Sequence, residues 1–271
     1  MRIGVFDSGV GGLTVLSALQ AAMPNHSFLY LGDTARVPYG TRSPDTVVRY
    51  ATAVAQALIE RGAQVLVIAC NTATTYALDH LREICEPLNI PVFGVIEPGV
   101  QAAIDHHTVG DIAVLGTVGT VNGGAYQRSI ASKCPDINIL AVPCPLFVPL
   151  AEEGITDGEI AKLVAERYLA PLGSSVRTVI LGCTHYPLLR DTIAQVLPAV
   201  TLIDSAQATA QVVSEALRGS AVEDGPTTQF FVTDEPSGFQ AVGARFLGTA
   251  PKNTTWIDLN AHPTATKGFG K

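Results

Sequence analysis

The sequence lacks the features that mark a nucleic-acid-binding or membrane-spanning protein. Only 15% of its 271 residues are charged, the formal net charge is −7, and the lysines and arginines form no cluster. A nucleic-acid interface normally carries a clustered basic surface, so this composition argues against one. The apolar runs are short and are interrupted by Gly, Pro, Asp or Asn, so none has the length of a transmembrane helix. We therefore expect neither a nucleic acid nor a membrane among the partners.

The sequence also lacks a disulfide framework and a secretion signal. Its five cysteines are odd in number and widely scattered, which is typical of reduced thiols. The amino terminus enters a β-prone run at once and has neither the apolar core nor the cleavage site of a signal peptide. These features predict a cytoplasmic protein. A hydrophobic fraction of 47% predicts a compact globular fold.

Apolar β-prone segments alternate with amphipathic helical segments along most of the chain. This order predicts an α/β fold with mainly parallel sheets. Glu97-Pro98-Gly99 interrupts the order, and we predict that the chain crosses there into a second domain. The predicted first domain comprises residues 1–97 and 207–271, with a last strand near 255–259 completing its sheet, and the second comprises 98–206. We expect the tail from Asn260 to be frayed.

One sequence pattern occurs twice. Residues 65–75 and 178–189 each contain a β-prone run, a cysteine at its carboxyl end, and small polar residues that open a helix. The cysteines are Cys70 and Cys183. Ligands of open α/β sheets bind at the carboxyl ends of strands, where helix amino termini present free N–H groups. Both cysteines are therefore candidates for chemistry.

The spacing of the two halves indicates a duplication. The strand ending at Asp7 precedes Cys70 by 63 positions (70 − 7), and Thr117 precedes Cys183 by 66 positions (183 − 117). We predict two similar three-layer α/β domains related by a pseudo-twofold axis, with the active site in the cleft between them. The two cysteines would approach that cleft from opposite sides.

Paired thiols that face one carbon can invert a stereocentre. A thiolate removes a proton from one face while a thiol delivers a proton to the other. A helix dipole favours thiolate over thiol, so we expect a lowered thiol pKa at Cys70 and Cys183. We interpret the remaining cysteines, Cys85, Cys134 and Cys144, as small core residues.

A metal centre is the competing interpretation, because Cys70, Cys183 and His185 are of zinc-ligand types. The chain has no Cys-x-x-Cys pair and the spacing fits no common zinc pattern, so we predict no metal. Pyridoxal phosphate needs a Schiff-base lysine, and no lysine accompanies the motifs. We therefore predict no cofactor.

Several polar residues near the cysteines have two interpretations. Asp7 could orient a substrate ammonium group or make an ordinary turn. His185 could assist Cys183 or cap a helix turn at the surface, and Glu152 and Glu153 are most simply solvated acids. The neutral side chains that could bind carboxylates or merely cap helices are Asn71, Thr72, Thr117, Thr120 and Thr184.

These motifs resemble those of the cofactor-independent aspartate/glutamate racemase family. The resembling segments span about residues 3–205, and their occurrence together and in order is specific. They are Gly4-Val-Phe-Asp7-Ser8-Gly-Val-Gly-Gly12, Tyr30-Leu-Gly-Asp33 with Pro38-Tyr39-Gly40, Ala69-Cys70-Asn71-Thr72-Ala73, Gly94-Val-Ile-Glu97-Pro, Cys144-Pro-Leu-Phe-Val-Pro-Leu, and Leu181-Gly-Cys183-Thr184-His185-Tyr-Pro-Leu188.

The resemblance implies interconversion of L-glutamate and D-glutamate, and supply of D-glutamate for peptidoglycan in a bacterial cytoplasm. It implies that Cys70 takes the α-proton of D-glutamate and Cys183 that of L-glutamate. Asp7 would assist at the Cys70 side and His185 at the Cys183 side, and Glu152 is the acid that falls on the family's position. The implied substrate-binding residues are Asp7, Ser8, Tyr39, Gly40, Asn71, Thr72, Thr117, Thr120, Thr184 and His185. We also expect a homodimer.

Three alternatives remain open from the sequence. A racemase of the same family could act on aspartate or another amino acid. A thiol-disulfide enzyme would form a disulfide between Cys70 and Cys183, and a regulatory binding protein could have the fold without the catalysis. We also expect the domains to close about Glu97 and Ile203–Ala206. Because the chain starts almost at its first strand, we expect no amino-terminal extension to serve an activator.

Overall fold

The structure is a computed structural model that describes residues 1–221 and 225–259. Within these residues the chain forms ten strands, and every strand pair is parallel. The strands are β1 (Arg2–Asp7), β2 (Ser27–Gly32), β3 (Val65–Ile68), β4 (Val92–Gly94), β5 (Asp111–Gly116), β6 (Ile139–Pro143), β7 (Val176–Gly182), β8 (Thr201–Asp204), β9 (Thr228–Val232) and β10 (Thr254–Trp256). The tail from Asn260, which we predicted to be frayed, lies outside the described residues.

The described part of the chain forms eleven α-helices. They are α1 (Leu13–Ala22), α2 (Pro44–Glu60), α3 (Asn71–Cys85), α4 (Ile96–His106), α5 (Val118–Gly123), α6 (Ala125–Lys133), α7 (Phe147–Glu153), α8 (Gly158–Leu169), α9 (Arg190–Val196), α10 (Ser205–Ala216) and α11 (Pro236–Leu247). Among residues 1–221 and 225–259, no helix combines the length and the apolar composition that crossing a bilayer requires.

The strands form two sheets with the same internal order. Sheet A runs β10-β9-β2-β1-β3-β4, and sheet B runs β6-β5-β7-β8. The inner part of sheet A, β2-β1-β3-β4, therefore repeats in sheet B, which confirms the prediction of two similar α/β halves. β9 and β10 return to sheet A as the sequence predicted. The domain boundaries at 97/98 and 206/207 stay predictions, since sheet membership fixes only the strands.

The central strands of both sheets are mostly buried, as is normal for parallel sheets that are covered on both faces. Every residue of β2 and β3 is buried, so these strands read as continuous apolar runs without alternation. One cluster of buried side chains includes Val67 of β3 and Leu181 of β7. The two halves therefore share part of one apolar interior.

The register of the central strands places the cysteines at equivalent points. Phe6 of β1 pairs with Ile68 of β3, and two residues further on Ser8 stands opposite Cys70. Gly116 pairs with Gly182, so the next residue, Thr117, stands opposite Cys183. Spacing along the chain made Thr117 the equivalent of Asp7 in the other half. The strand register makes Thr117 the equivalent of Ser8 instead.

Two predictions about local structure were wrong. Glu97, Pro98 and Gly99 do not break the pattern but lie inside α4, through which the chain passes from sheet A to sheet B. Pro98 is tolerated because the first-turn N–H groups of a helix have no intrahelical partner. The apolar, proline-bounded segment from Cys144 to Gly154 predicts a loop, but it contains α7.

Candidate active site

The carboxyl ends of the central strands meet at a narrow cavity of about 30 Å³ that both cysteines line. Its lining residues are Ser8, Val37, Pro38, Tyr39, Gly40, Cys70, Asn71, Thr72, Thr117, Val148, Cys183, Thr184 and His185. Three predicted site residues, Asp7, Thr120 and Glu152, stand behind this lining. A volume of this size holds about two water molecules. The cleft is therefore narrow in this structure.

Cys70 begins α3 and receives hydrogen-bond support from the backbone. The Ala73 N–H donates to Cys70 Sγ at 3.4 Å, and Ser8 Oγ lies 3.7 Å from the same sulfur. Burial, together with the negative charge of Asp7, nevertheless raises the thiol pKa to about 12, against the lowering effect of the hydrogen bonds with Ala73 and Ser8. The predicted lowering of the Cys70 pKa is wrong because desolvation of the thiolate outweighs the helix terminus.

Cys183 lies in a different local structure. It is followed by a turn and the short 3₁₀ helix Tyr186–Leu189, and α9 begins only at Arg190. The prediction that an α-helix opens directly after this cysteine was wrong. Burial raises the pKa of the Cys183 thiol, the His185 backbone N–H lowers it, and the charge of Cys70 raises it. The expected lowering of its pKa is therefore also wrong.

The two thiols influence each other's ionisation. A negative charge on Cys70 raises the pKa of Cys183, so the pair favours at most one thiolate at a time. Both cysteines are free thiols in this structure. Unequal protonation is the arrangement that two-base proton transfer needs.

His185 connects Cys183 to Glu152. Its Nδ1 lies 3.9 Å from Cys183 Sγ, and its Nε2 lies 2.9 Å from Glu152 Oε1. The imidazole is buried, so the interpretation of a surface cap was wrong. The Glu152 carboxylate favours a proton on Nε2, which leaves Nδ1 as an acceptor for the thiol proton. Glu153 is exposed.

Two contacts from α11 hold this pair in place. The Arg245 guanidinium donates to the backbone carbonyl of Glu152. The Phe246 ring packs edge-on against the His185 ring at 5.3 Å between centroids. The last described helix thus supports the His185–Glu152 pair of the other half.

Asp7 makes the turn contact predicted for it and a second contact across the cleft. Its Oδ2 accepts from the Gly9 N–H at 2.9 Å, which is ordinary turn chemistry. Its Oδ1 accepts from the Thr184 hydroxyl at 3.4 Å, in the opposite half of the cleft. Burial raises the pKa of this carboxyl, and the charge of His185 lowers it. Asp7 is therefore a buried acid that contacts the surroundings of both thiols.

Gly11 allows this close approach of the two halves. A Cβ at Gly11 would lie 2.3 Å from Thr184 Oγ1 and 2.4 Å from His185 Nδ1. Any side chain would displace these atoms, so the residue before Gly12 in the first loop must be glycine.

Three threonine hydroxyls join the halves on the other side of the cavity. Thr72 lies 2.9 Å from Thr117 and 3.1 Å from Thr120, and the latter two are 3.1 Å apart between their Oγ1 atoms. Thr117 also caps α5 by accepting from the Thr120 N–H, so the capping interpretation holds for it. Thr72 and Thr117 line the cavity, whereas Thr120 supports them from behind.

Sequence reasoning missed two buried partners of the lining residues. The Tyr39 hydroxyl donates to Asp33 Oδ2 at 2.5 Å, and the Thr233 hydroxyl donates to Asp33 Oδ1 at 2.9 Å. The Tyr126 hydroxyl donates to Asn71 Oδ1 at 2.7 Å. Asp33 directly follows the buried strand β2, and this position could have identified it from the sequence. Tyr126 lies 55 positions from its partner and has no local signal.

The described lining contains no lysine. Within residues 1–221 and 225–259, no group of three or more His, Cys, Asp or Glu side chains is placed to hold a metal ion.

The site contains two buried thiols, one from each of two similar α/β halves, and ionisable side chains lie near each thiol. This arrangement is typical of an enzyme that exchanges a proton at carbon between two bases. Known proteins identify the family. The sequence profile of the Asp/Glu/hydantoin racemases matches residues 13–213. The glutamate racemase of Geobacter metallireducens is 49% identical over 265 residues, covering 96% of this chain and 97% of that protein. The chain belongs to the Asp/Glu/hydantoin racemase family.

Solved structures agree with this assignment. The glutamate racemase of Francisella tularensis in complex with D-glutamate superposes with a TM-score of 0.90 at 37% identity, covering 96% of this chain and 98% of that one. The enzyme of Thermus thermophilus in complex with β-chloro-D-alanine gives 0.86 at 45% identity, covering 96% and 97%. The fold of two parallel α/β layers is thus that of glutamate racemases.

Proposed function

We propose that this protein interconverts L-glutamate and D-glutamate without a cofactor, by proton transfer at Cα between Cys70 and Cys183. The observation that carries the proposal is that both thiols line one cavity from opposite halves of the molecule. The choice of glutamate is supported by relatives named glutamate racemase that match nearly the whole chain.

The proton balance requires the thiols to exchange roles. From D-glutamate, the Cys70 thiolate takes the Cα proton and becomes a thiol, while the electron pair stays on Cα. The Cys183 thiol then gives its proton to the opposite face, which yields L-glutamate and a Cys183 thiolate. From L-glutamate the sequence runs in reverse. After each turnover the protons must redistribute between the thiols before the same direction can repeat.

The acid–base neighbours generate the thiolates in this proposal. Burial favours the protonated form of both thiols, so a nearby group must accept a proton when substrate binds. His185 Nδ1 faces Cys183 at 3.9 Å, and Glu152 stabilises the imidazolium that forms. Asp7 serves the Cys70 side, where its raised pKa suits a group that gains and loses a proton.

The neutral donors of the lining hold the substrate. Ser8, Asn71 and Thr72 lie around Cys70, and Thr117 and Thr184 face them from the other half. Tyr39 and Gly40 complete the wall, and Thr120 fixes two of the hydroxyls. The α-proton of an amino acid is far less acidic than a thiol, so these donors must also stabilise a developing carbanion in a cleft that excludes water.

The biological part of the proposal is supply of D-glutamate for peptidoglycan in the cytoplasm, by a homodimer. The acidic composition without a basic cluster and the lack of a bilayer-crossing helix among the described residues support a location away from membranes. Sedimentation velocity tests the dimer, and a monomer at every concentration contradicts it.

The decisive experiment is proton NMR in D₂O on metal-free, cofactor-free protein. The Cα–H signals of L-glutamate and D-glutamate are followed separately, with circular dichroism recorded in parallel. We expect deuterium to enter Cα while optical activity decays. No exchange with either enantiomer contradicts the glutamate assignment, and a panel that includes aspartate then identifies the substrate. Turnover that depends on a Cys70–Cys183 disulfide would establish a thiol-disulfide enzyme instead.

A further inference from the structure

Asn71 carries a hydrogen-bond donor that no described residue satisfies. The side chain lines the cavity and only 3% of the residue is exposed. Its Nδ2 nevertheless has no partner among the described residues. An unpaired donor in a buried position destabilises the fold, unless a ligand with an acceptor oxygen satisfies it. A substrate carboxylate is such a ligand.

The orientation of this carboxamide is fixed from behind. Asn71 Oδ1 accepts from the Tyr126 hydroxyl at 2.7 Å. The Ser205 side chain also hydrogen-bonds to Tyr126 and lowers the pKa of its hydroxyl, against the larger raising effect of burial. The phenol has a single hydrogen, which it donates to Asn71 Oδ1, so the contact with Ser205 uses a lone pair of the phenol oxygen. Oδ1 must therefore face Tyr126, and Nδ2 must face away from it.

The Tyr126 hydroxyl lies where the two connections between the sheets meet. Ser205 is the first residue of α10, which leads from sheet B back toward sheet A. Gly99 belongs to α4, the other connection, and a Cβ there would lie 3.0 Å from Ser205 Cβ and 3.6 Å from the Tyr126 hydroxyl. The small residue at 99 leaves room for this junction. The hydrogen-bonded series Ser205–Tyr126–Asn71, here called the relay, thus leads from the junction of α4 and α10 to the cleft.

We infer that Tyr126 is a positioning residue that holds the Asn71 carboxamide with its N–H directed to a substrate carboxylate. The inference rests on the proposed function for the identity of the ligand, but not for the orientation of the amide. Asn71 alone cannot maintain the orientation, because a carboxamide turned by half a rotation presents an acceptor of similar shape. An acceptor facing a carboxylate weakens binding.

Tyr126→Phe tests the role in binding. We expect the KM for both enantiomers to rise about tenfold, with kcat changed less than about twofold, since one ground-state hydrogen bond is lost. If Tyr126 influences substrate binding only by orienting Asn71, the double variant Tyr126→Phe/Asn71→Ala should have the same KM as Asn71→Ala alone. Additive effects in the double variant, or a fall in kcat at constant KM, would overturn the inference.

Tyr186→Phe is the matched control. Tyr186 is equally buried and donates to the Cys144 carbonyl at 2.8 Å, so its variant also loses a buried phenol hydrogen bond. We expect it to lower the melting temperature about as much as Tyr126→Phe does, without raising KM. An equal rise of KM in both variants would show a general effect of destabilisation and would overturn the positioning role.

A readout without turnover separates this inference from the proposed function. The side-chain ¹⁵N–¹H₂ signals of Asn71, assigned by their loss in Asn71→Ala, are recorded on ligand-free protein. We expect one sharp pair in the wild type and shifted or averaged signals in Tyr126→Phe. If the wild type racemises no glutamate, the proposed function is wrong while this arm still tests the relay. Unchanged Asn71 signals in Tyr126→Phe would overturn the inference.

Discussion

The two halves of the molecule have the same strand order but surround their cysteines differently. The order β2-β1-β3-β4 repeats as β6-β5-β7-β8, and each cysteine follows the third strand of its half. Cys70 is the N-cap of a helix of 15 residues and accepts from the Ala73 N–H. Cys183 precedes a short 3₁₀ helix and lies beside the His185 imidazole. The repeated fold sets where the thiols lie, and local chemistry sets how each one moves its proton.

Thermodynamics limits how this difference between the two sides can appear in kinetic measurements. Two enantiomers have equal free energy, so their equilibrium constant is one and kcat/KM must be equal in both directions for any variant. A defect on one side of the cleft therefore cannot appear as a preference for one enantiomer in kcat/KM. Isotope effects on proton abstraction, in contrast, report which side has become rate-limiting.

The largest effect is expected when either base is removed. We predict that Cys70→Ser and Cys183→Ser each lower kcat for racemisation by about a thousandfold or more, since an alcohol is a far weaker acid than a thiol. Circular dichroism of the glutamate enantiomers measures this loss. Cys134→Ser, a partly exposed cysteine outside the cavity, is the control and should keep full activity. A single-serine variant that racemises normally would exclude the two-base arrangement.

Removing the imidazole affects the Cys183 side. We predict that His185→Asn lowers kcat by about a hundredfold, within the range for loss of a general base. The deuterium isotope effect on kcat/KM should increase more with L-[2-²H]glutamate than with the D enantiomer, because Cys183 is the base proposed for L-glutamate. Equal increases for both enantiomers would contradict the assignment of His185 to one side.

Asp7 is predicted to reduce stability while it supports activity. Because burial raises its pKa, the folded carboxyl binds its proton more tightly than the unfolded one. Stability therefore falls as pH rises through the raised pKa, and the deficit remains at neutral pH. We predict that Asp7→Asn raises the melting temperature at neutral pH, flattens this pH dependence, and lowers kcat about a hundredfold.

Melting curves between acidic and neutral pH, together with the racemase assay, check the Asp7 prediction. Asp204→Asn, a half-buried acid at the end of β8, provides a variant of the same chemistry outside the cavity. A lower melting temperature for Asp7→Asn at neutral pH would mean that the hydrogen bonds to Gly9 and Thr184 outweigh the cost of burial.

The smallest effect is expected at the acid behind the imidazole. Glu152→Gln keeps an acceptor for His185 Nε2 but removes the charge, and the Glu152 side chain is 34% exposed. We predict a fall in kcat of about tenfold, typical of a residue that orients a functional group. Glu153→Gln should leave kcat unchanged because this neighbour is exposed. A loss of similar size at both positions would show that surface charge, and not the contact with His185, is responsible.

Much of the site was predictable from local sequence. The apolar runs before Cys70 and Cys183 identify two strand ends, and ligands of open α/β sheets bind at the carboxyl ends of strands. The resemblance to a racemase family added Asp7, His185 and Glu152. Their contacts were not predictable, because Glu152 lies 33 positions from His185 in the chain and on another helix.

The direction of the thiol pKa shifts shows the limit of local reasoning. The sequence places Cys70 at a helix start, and the structure confirms this. The helix terminus lowers a thiol pKa by a few hydrogen bonds, whereas burial by both halves and the charge of Asp7 raise it. Burial depends on every element that packs around the cleft, so no window of sequence around Cys70 contains it.

The sequence by itself determined the α/β class, the duplicated strand–cysteine turns and the family. Hydrophobic periodicity and turn residues act over a few positions, so they can be read directly along the chain. Only the tertiary structure decided that Glu97–Gly99 is helical, that α11 supports His185, and that Tyr126 orients Asn71. These depend on contacts between distant segments, where packing and burial in three dimensions outweigh local preference.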